Sequence, residues 1–374
     1  MEKLRNKLNE IDDQIVKLYA ERMETVKEIG QFKEKAHLPI TSKSREDEVV
    51  KRLEKEVPEE ISVFVKMLYQ TIFQTSKAYQ SKFTAMDTSL TKMLKETLLE
   101  GFKKFPSSAS VACQGVEGAY SSIAANRLFS NPNITFFKNF EGVCTAVEKG
   151  LCRYGILPID NSLNGSVGEV YDLLLSKKFY IVRSVRLPIR QSLLGKGSLS
   201  DVKTVYSHPQ AIGQCSNYLS KMGYTVHETE NTAVSAKMVA DSDDKTIAAI
   251  CSAECASLYD LKVLDSNIQN DDTNFTRFIC ISKELELYED SNRISIIIGL
   301  PHRSGSLQNV LARFSAMNLN LTKLSSRPVL GTEFEYIFYL DFESNVKHGE
   351  ALSLLSELER ECESFAFLGS YFEG

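Results

Sequence analysis

Arg22 and Lys33 stand eleven residues apart in a stretch with a regular apolar seam. The seam is Leu4, Leu8, Ile11, Ile15, Leu18, Val26 and Ile29, a 4-3-4-3 spacing of coiled-coil type. Eleven residues at ~100° each differ by only ~20°, so both cations fall on the seam side. Unpaired cations on a buried face are costly, so they mark a place where an anion is met. Ser76 and Gln80 continue a later stripe of Ile61, Val65, Leu68 and Ile72, and project together as i, i+4 neighbours. Arg45 and Glu46 open a short helix between the two. Arg5 lies ~100° around the helix from Arg22 and would reach such a pocket only across a dimer. Together these residues describe an all-helical, cation-rich pocket suited to a small dianion. It lacks a nucleophile–base pair, so its chemistry rests on positioning and electrostatics. The competing readings are structural: snorkelling or Glu-paired cations, a polar contact between helices, a solvated charged turn.

A second polar set sits in four loops beside apolar runs. Gly115-Val-Glu-Gly118-Ala-Tyr-Ser121 is a glycine turn after the strand-like Ser110–Gln114 and before a helix at Ser122–Leu128. Such a turn presents backbone N–H groups to an anion. It is not GxGxxG, so no dinucleotide site is expected. Pro158-Ile-Asp160-Asn161-Ser162 follows Gly155–Leu157, and Ser207-His208-Pro-Gln-Ala-Ile-Gly-Gln214 follows Thr204–Tyr206. Asn274-Phe-Thr276-Arg277-Phe278 leads into Ile279–Ile281. Ligands in α/β domains sit at the carboxyl ends of strands. Each loop alone is equally an ordinary turn, and His208 before Pro209 fits turn structure better than acid chemistry.

The elements that must position these groups fall into three parts. Residues 1–83 read all-helical, with a first helix to about residue 35, a break at Pro39, a second helix capped by Ser44, and a third beginning at Pro58. A helix of ~50 Å cannot bury its stripe alone and needs partner helices, from a second chain. Residues 84–107 read as a Ser/Thr- and Lys-rich linker, partly helical, stopping at Pro106. Residues 108–285 alternate short apolar runs with helical patterns, which predicts α/β architecture with mostly parallel strands. Residues 292–374 read β-α-β-β-α-β, the ferredoxin-like order, with strands at Arg293–Gly299, Leu319–Ser325, Glu333–Asp341 and Ser364–Gly369.

Composition sets the outer bounds. The 374 residues fit two to three domains, and 43% hydrophobic with 25% charged is a globular mix. A net charge of −5 argues against general nucleic-acid binding. No apolar run approaches a membrane span, and the first residues carry no signal-peptide h-region. The eight cysteines form no CxxC pair and the five histidines show no zinc spacing, so reduced thiols, a cytoplasmic setting and no metal are expected.

Residues 4–80 resemble the all-helical chorismate mutase family at Leu4-Arg5, Ala20-Glu21-Arg22, Lys33, Arg45-Glu46, Gln70, Ser76 and Gln80. The resemblance implies an intertwined dimer that rearranges chorismate to prephenate. It assigns Arg22, with Arg5 of the partner chain, to the substrate carboxylates, and Lys33 and Gln80 to the ether oxygen. Arg45, Glu46 and Ser76 would bind the ring hydroxyl or a carboxylate edge. Ser42 stands where that family carries Asp.

Residues 108–285 resemble prephenate dehydratase through the four loop motifs taken as a set. This implies two α/β subdomains of periplasmic-binding-protein type around a cleft, no cofactor, and phenylpyruvate as product. Thr276 would protonate the departing hydroxyl, with Asn161, Asp160, Ser207 and Gln214 around the substrate, and Arg277 either on a substrate carboxylate or in a structural salt bridge. The C-terminal part resembles an ACT domain at Gly305-Ser306-Leu307-Gln308 and Ser325-Ser326-Arg327-Pro328, which implies side-by-side pairing and phenylalanine as effector. The whole chain therefore resembles the bifunctional chorismate mutase/prephenate dehydratase family, a homo-oligomer of at least a dimer. One alternative keeps only the dehydratase active, with the helical part as a dimerisation module. Another makes the chain a non-catalytic sensor of prephenate or phenylalanine.

Overall fold

Helix α1 runs unbroken over Glu2–Lys35, as its seam predicts. The computed structural model describes residues 1–36, 42–81, 88–328 and 336–374. The break expected at Pro39 and the start of the strand expected at Glu333 lie outside the described residues. The chain forms two compact units, Met1–Gly101 with Arg293–Phe367, and Phe102–Asn292 with Leu368–Gly374.

In the first unit, α2 (Lys43–Glu54) and α3 (Glu59–Ser81) follow α1. The residue preceding α2 is Ser42, two positions before the expected cap, and its side chain makes no capping bond. The C-terminal half of α1 packs on α3. Tyr19 donates to Thr75 Oγ1 at 2.7 Å, and Gln80 Nε2 donates to the Val26 carbonyl at 3.0 Å. Gly30 permits this approach, since a Cβ there would stand 3.2 Å from Gln80 Cγ. The N-terminal half of the seam stays open: Leu4, Leu8, Ile15 and Leu18 are exposed, as are Phe64 and Leu68 on α3.

The stretch expected as a linker holds a well-made helix, α4 (Ser89–Leu99). Thr88 and Thr91 form a reciprocal capping box, which satisfies two otherwise orphan donors. Leu94 is fully buried, a contribution of about 1.5–3 kcal/mol. Ser89 Oγ also donates to Glu359 at 2.6 Å.

The second unit opens with β1 (Ser110–Gln114), α5 (Tyr120–Leu128), β2 (Asn133–Phe137), α6 (Phe140–Glu148), β3 (Tyr154–Asn161), the short β4 (Gly165–Ser166), α7 (Gly168–Ser176) and β5 (Tyr180–Pro188). The chain then builds a second lobe from β6 (Ser192–Gly195), β7 (Thr204–Ser207), α8 (Pro209–Gln214), α9 (Ser216–Met222), β8 (Thr225–Glu228), α10 (Thr232–Asp241), β9 (Ile247–Cys251), α11 (Glu254–Leu258) and β10 (Lys262–Asp265). It returns to the first lobe through β11 (Phe275–Ser282). The first sheet orders its strands β5-β11-β3-β1-β2, the second β10-β6-β9-β7-β8. The expectation of mostly parallel strands is corrected. β1 pairs in parallel with β2 and β3, but β11 runs antiparallel to both β3 and β5. A chain that leaves a lobe and returns reverses its strand direction.

The remaining elements are β12 (Arg293–Gly299), α12 (Ser306–Ala316), β13 (Leu321–Pro328), β14 (Tyr336–Glu343), α13 (Gly349–Glu361) and β15 (Ser364–Glu373). Their order β13-β14-β12-β15 is the expected ferredoxin-like arrangement. The boundary between the units falls inside β15. Helix α12 packs on α3 through the buried Arg313, whose Nε donates to Gln74 Oε1 at 3.1 Å and whose guanidinium pairs with Glu361.

Candidate functional sites

The helical pocket assembles on facing sides of α1, α2 and α3. Arg22 donates to Ser76 Oγ at 2.5 Å and lies over the Phe73 ring, 6.0 Å from its centroid. Burial lowers the Arg22 pKa, opposed by Tyr69 and Tyr19, but a guanidinium remains charged. Lys33 is half-buried and its pKa is lowered first by burial; Glu46 opposes the shift and Lys77 adds to it. Gln80 is almost fully buried beside Val26. Arg22, Lys33, Glu46, Ser76 and Gln80 are thus brought to neighbouring turns of three helices. Arg5 is exposed near the far end of α1, about 26 Å along the axis from Arg22, so one chain does not bring it to the pocket. Arg45 is corrected. It points into solvent and pairs with Glu48 at 2.8 Å, because adjacent helical residues diverge by ~100° and Glu46 takes the inward direction.

The second site is a cavity of about 300 Å³ in the α/β unit, lined by Gln114, Tyr120, Asn161, His208, Gln214, Glu230, Asn231 and Thr276 among others. Thr276 sits on β11 directly opposite Asn161 on β3. Asn161 Nδ2 donates to Thr276 Oγ1 at 2.9 Å and to Asn274 Oδ1 at 2.8 Å. Asn161 Oδ1 in turn accepts from the backbone N–H of Leu163 and Asn164, so the amide is fixed at both ends. The Thr276 oxygen accepts from Asn161, which leaves its own O–H available as a donor. The cavity also meets the first residues of α5 and α10, whose N-termini carry partial positive charge. The glycine turn shapes this wall: Gly118 holds φ +86°, and a Cβ there would stand 2.9 Å from Cys255 Sγ.

Three residues expected here are placed elsewhere. Arg277 and Asp160 are neighbours across β11 and β3, one residue beyond the Thr276–Asn161 pair, so both face the opposite side of the sheet. There Arg277 Nε lies 2.7 Å from Glu373 Oε2, and Nη2 donates to Tyr371 at 2.6 Å. Asp160 accepts from Ser166 and Tyr171. Ser207 is fully buried and donates to the Ile250 carbonyl at 2.6 Å, off the cavity wall. Gln214 does line the cavity and accepts from Gln191 Nε2 at 3.2 Å. His208 lines it too, while its Nδ1 accepts from Gln210 N and so caps α8. Arg277→Met is therefore expected to lower the melting temperature by several degrees. It should leave the substrate KM of the correctly folded fraction unchanged, as read by thermal unfolding beside steady-state kinetics.

Two family models match the chain, chorismate mutase type II over residues 4–81 and prephenate dehydratase over residues 111–286. The bifunctional chorismate mutase/prephenate dehydratase of Escherichia coli K12 is 30% identical over 98% of this chain and 95% of its own. The chain belongs to this bifunctional family. It joins a chorismate mutase, an isomerase, to a prephenate dehydratase, a lyase. The arogenate dehydratase/prephenate dehydratase 2 of Arabidopsis thaliana is 37% identical, covering 70% of this chain and 72% of that one. Among solved structures, a prephenate dehydratase from Arthrobacter aurescens in complex with L-Phe superposes with a TM-score of 0.64. It is 26% identical and covers 70% of this chain and 89% of that one.

Within this bifunctional chain, sequence reasoning passed over Lys77, Glu230 and Asn231. Asn231 carried a readable signal, an Asn cap one residue before α10. Lys77 carried a weaker one, its place between Ser76 and Gln80. Near the C-terminal part, a cavity of about 470 Å³ is lined by Leu300, Arg303, Ser306, Leu307, Tyr336 and Phe338 among others. Ser306 and Leu307 meet there beside Gly305. In β13, Ser326 and Pro328 are exposed and stand opposite Phe338 and Tyr336 of β14, on the face those two cavity residues share, while Arg327 faces the other way.

Proposed function

We propose that the helical pocket and the Thr276 cavity carry the two successive reactions, and that phenylalanine restrains them. In the first, Arg22, with Arg5 supplied by a second copy, holds the carboxylates of chorismate in a folded conformer. Lys33 and Gln80 then meet the oxygen on which negative charge grows as the C–O bond breaks. Glu46 and Ser76 fix the ring end. No proton or covalent bond passes to the protein, so the pocket works by binding the transition state better than the ground state. The exposed seam of α1 supports a dimer, because so much open apolar surface on one helix requires cover.

In the second reaction prephenate lies in the cavity with its carboxylates toward the N-termini of α5 and α10. Loss of carbon dioxide sends an electron pair into the ring. The C–O bond to the ring hydroxyl breaks, Thr276 gives its proton to the leaving oxygen, and water departs. Thr276 regains a proton from solvent. Gain of aromaticity drives the step, and no cofactor is required. The observation that supports this reading is the Asn161–Thr276 bond on the cavity wall, which engages the threonine oxygen and leaves its proton to be donated.

The ferredoxin-like part is read as an ACT domain with phenylalanine as its effector; the L-Phe complex of the Arthrobacter relative supports this. All eight cysteines are free thiols and seven are buried, which supports a reducing, cytoplasmic setting. The test supplies the purified chain with chorismate alone and follows phenylpyruvate with and without phenylalanine. Phenylpyruvate formed and suppressed by phenylalanine is the expected result. Prephenate accumulating would overturn the cavity reading, and unchanged chorismate would leave the helices as a dimerisation module.

A further inference from the structure

We propose that Lys77 is a positioning residue of the mutase site, acting through Glu46; this rests on the reading of that site given above. Lys77 is on α3, beside Ser76 and three residues before Gln80, and is only 8% exposed. Its Nζ lies 2.8 Å from Glu46 Oε1 and 3.1 Å from Oε2. A single ammonium therefore holds both oxygens of a carboxylate carried by another helix. Lysine is almost never buried to this degree without a partner, so the pair is a built element between α2 and α3 and not a surface contact.

The consequence follows from the third charge. Lys33 on α1 feels Glu46 as a stabilising anion and Lys77 as a repelling cation. Glu46 thus has two ammonium groups within its field, and the geometry gives both of its oxygens to Lys77. A carboxylate oxygen has about two lone-pair sites, so each keeps one for a substrate hydroxyl. Without Lys77 the carboxylate is drawn to Lys33. It then turns away from the ring hydroxyl. Lys77 aims Glu46 at the ring hydroxyl.

The cavity beside the pair makes a clean test available. Glu46 and Lys77 also line a space of about 490 Å³ with Gln70, Gln74, Asn309 and Arg313, which leaves room for a longer cation. In the full-length chain, Lys77→Met is expected to lower mutase kcat/KM tenfold or more, with dehydratase turnover of prephenate unchanged. Lys77→Arg should recover most of the loss. Glu46→Gln should cost a similar factor, and the double variant Glu46→Gln/Lys77→Met should be little worse than Glu46→Gln alone. A residue that only braced α2 against α3 would reduce the folded fraction at unchanged KM, so kcat and KM are read separately on protein of matched circular dichroism. Mutase kcat/KM within twofold of the parent in Lys77→Met, or singles that multiply fully in the double variant, would overturn the proposal. If Arg22→Ala and Glu46→Gln both retain mutase activity, the site reading itself has failed.

Discussion

Thr276→Val should lower dehydratase kcat by about 10²–10⁴, the usual contribution of a positioned general acid, while mutase activity stays at the parental level. The substitution keeps the β-branched shape that suits a strand and removes only the hydroxyl. Thr276 is buried against Asn161, so its alcohol has one anchoring donor and keeps one proton to give. An unassisted threonine is a poor acid. Here the developing alkoxide would find the Asn161 amide already pointed at it, and that amide is locked by Asn274 and two backbone N–H groups. Preorganised donors of this kind cost no rearrangement at the moment of reaction. Thr276→Ser, which keeps the proton, should retain far more activity than Thr276→Val. Dehydratase turnover within threefold of the parent in Thr276→Val would remove the residue from the acid role. The mutase residues all belong to the other unit, so their activity is the internal control for folding.

The motif Asn274-Phe-Thr276-Arg277-Phe278 shows both the reach and the limit of reading a sequence. It pointed to Thr276 through the resemblance to prephenate dehydratase, and the structure sets that residue on the cavity wall. It also left Arg277 open between a carboxylate ligand and a structural salt bridge, and the structure shows the salt bridge, to Glu373. A strand turns successive side chains to opposite faces, so a contiguous motif mixes the wall of a site with the brace behind it. Asp160 and Asn161 divide in the same way. The brace could not be seen in sequence because Glu373 is 96 residues from Arg277 and reaches it only through the last strand. Strand direction was hidden for a similar reason: a buried apolar run such as Phe278–Ile281 reads alike in parallel and antiparallel pairing. Helix faces fared better. Eleven-residue spacing put Arg22 and Lys33 on one side, and the i, i+4 rule joined Ser76 to Gln80. The failure on helices was Arg45, where one residue of offset separates a pocket from solvent.

Arg22→Ala is the second large effect, an expected loss of about 10²–10³ in mutase kcat/KM, the range for removing one preorganised donor from a site of developing charge. The guanidinium is half-buried between α1 and α3, braced by Ser76 and Phe73. Its planar fork matches a carboxylate with two parallel bonds, which lysine cannot reproduce, so Arg22→Lys should recover little. The fold should survive, since Tyr19–Thr75 and Gln80–Val26 still tie the two helices. Helical circular dichroism matched to the parent would show this directly. The parent's pH profile adds an independent check on the same pocket. Burial holds Lys33 below its ordinary 10.5, so its positive charge is lost at a lower pH than in an exposed lysine as pH rises. Loss of that charge withdraws a cation from the oxygen that becomes negative. Mutase kcat should therefore fall as pH rises toward the lowered pKa, and Lys33→Gln should abolish that alkaline limb along with most of the rate. Arg22 holds its charge across the same range, so in Arg22→Ala the limb should persist beneath a uniformly lower rate. A limb lost in Arg22→Ala would mean that the two cations titrate as one unit and that Lys33 does not act at the ether oxygen independently.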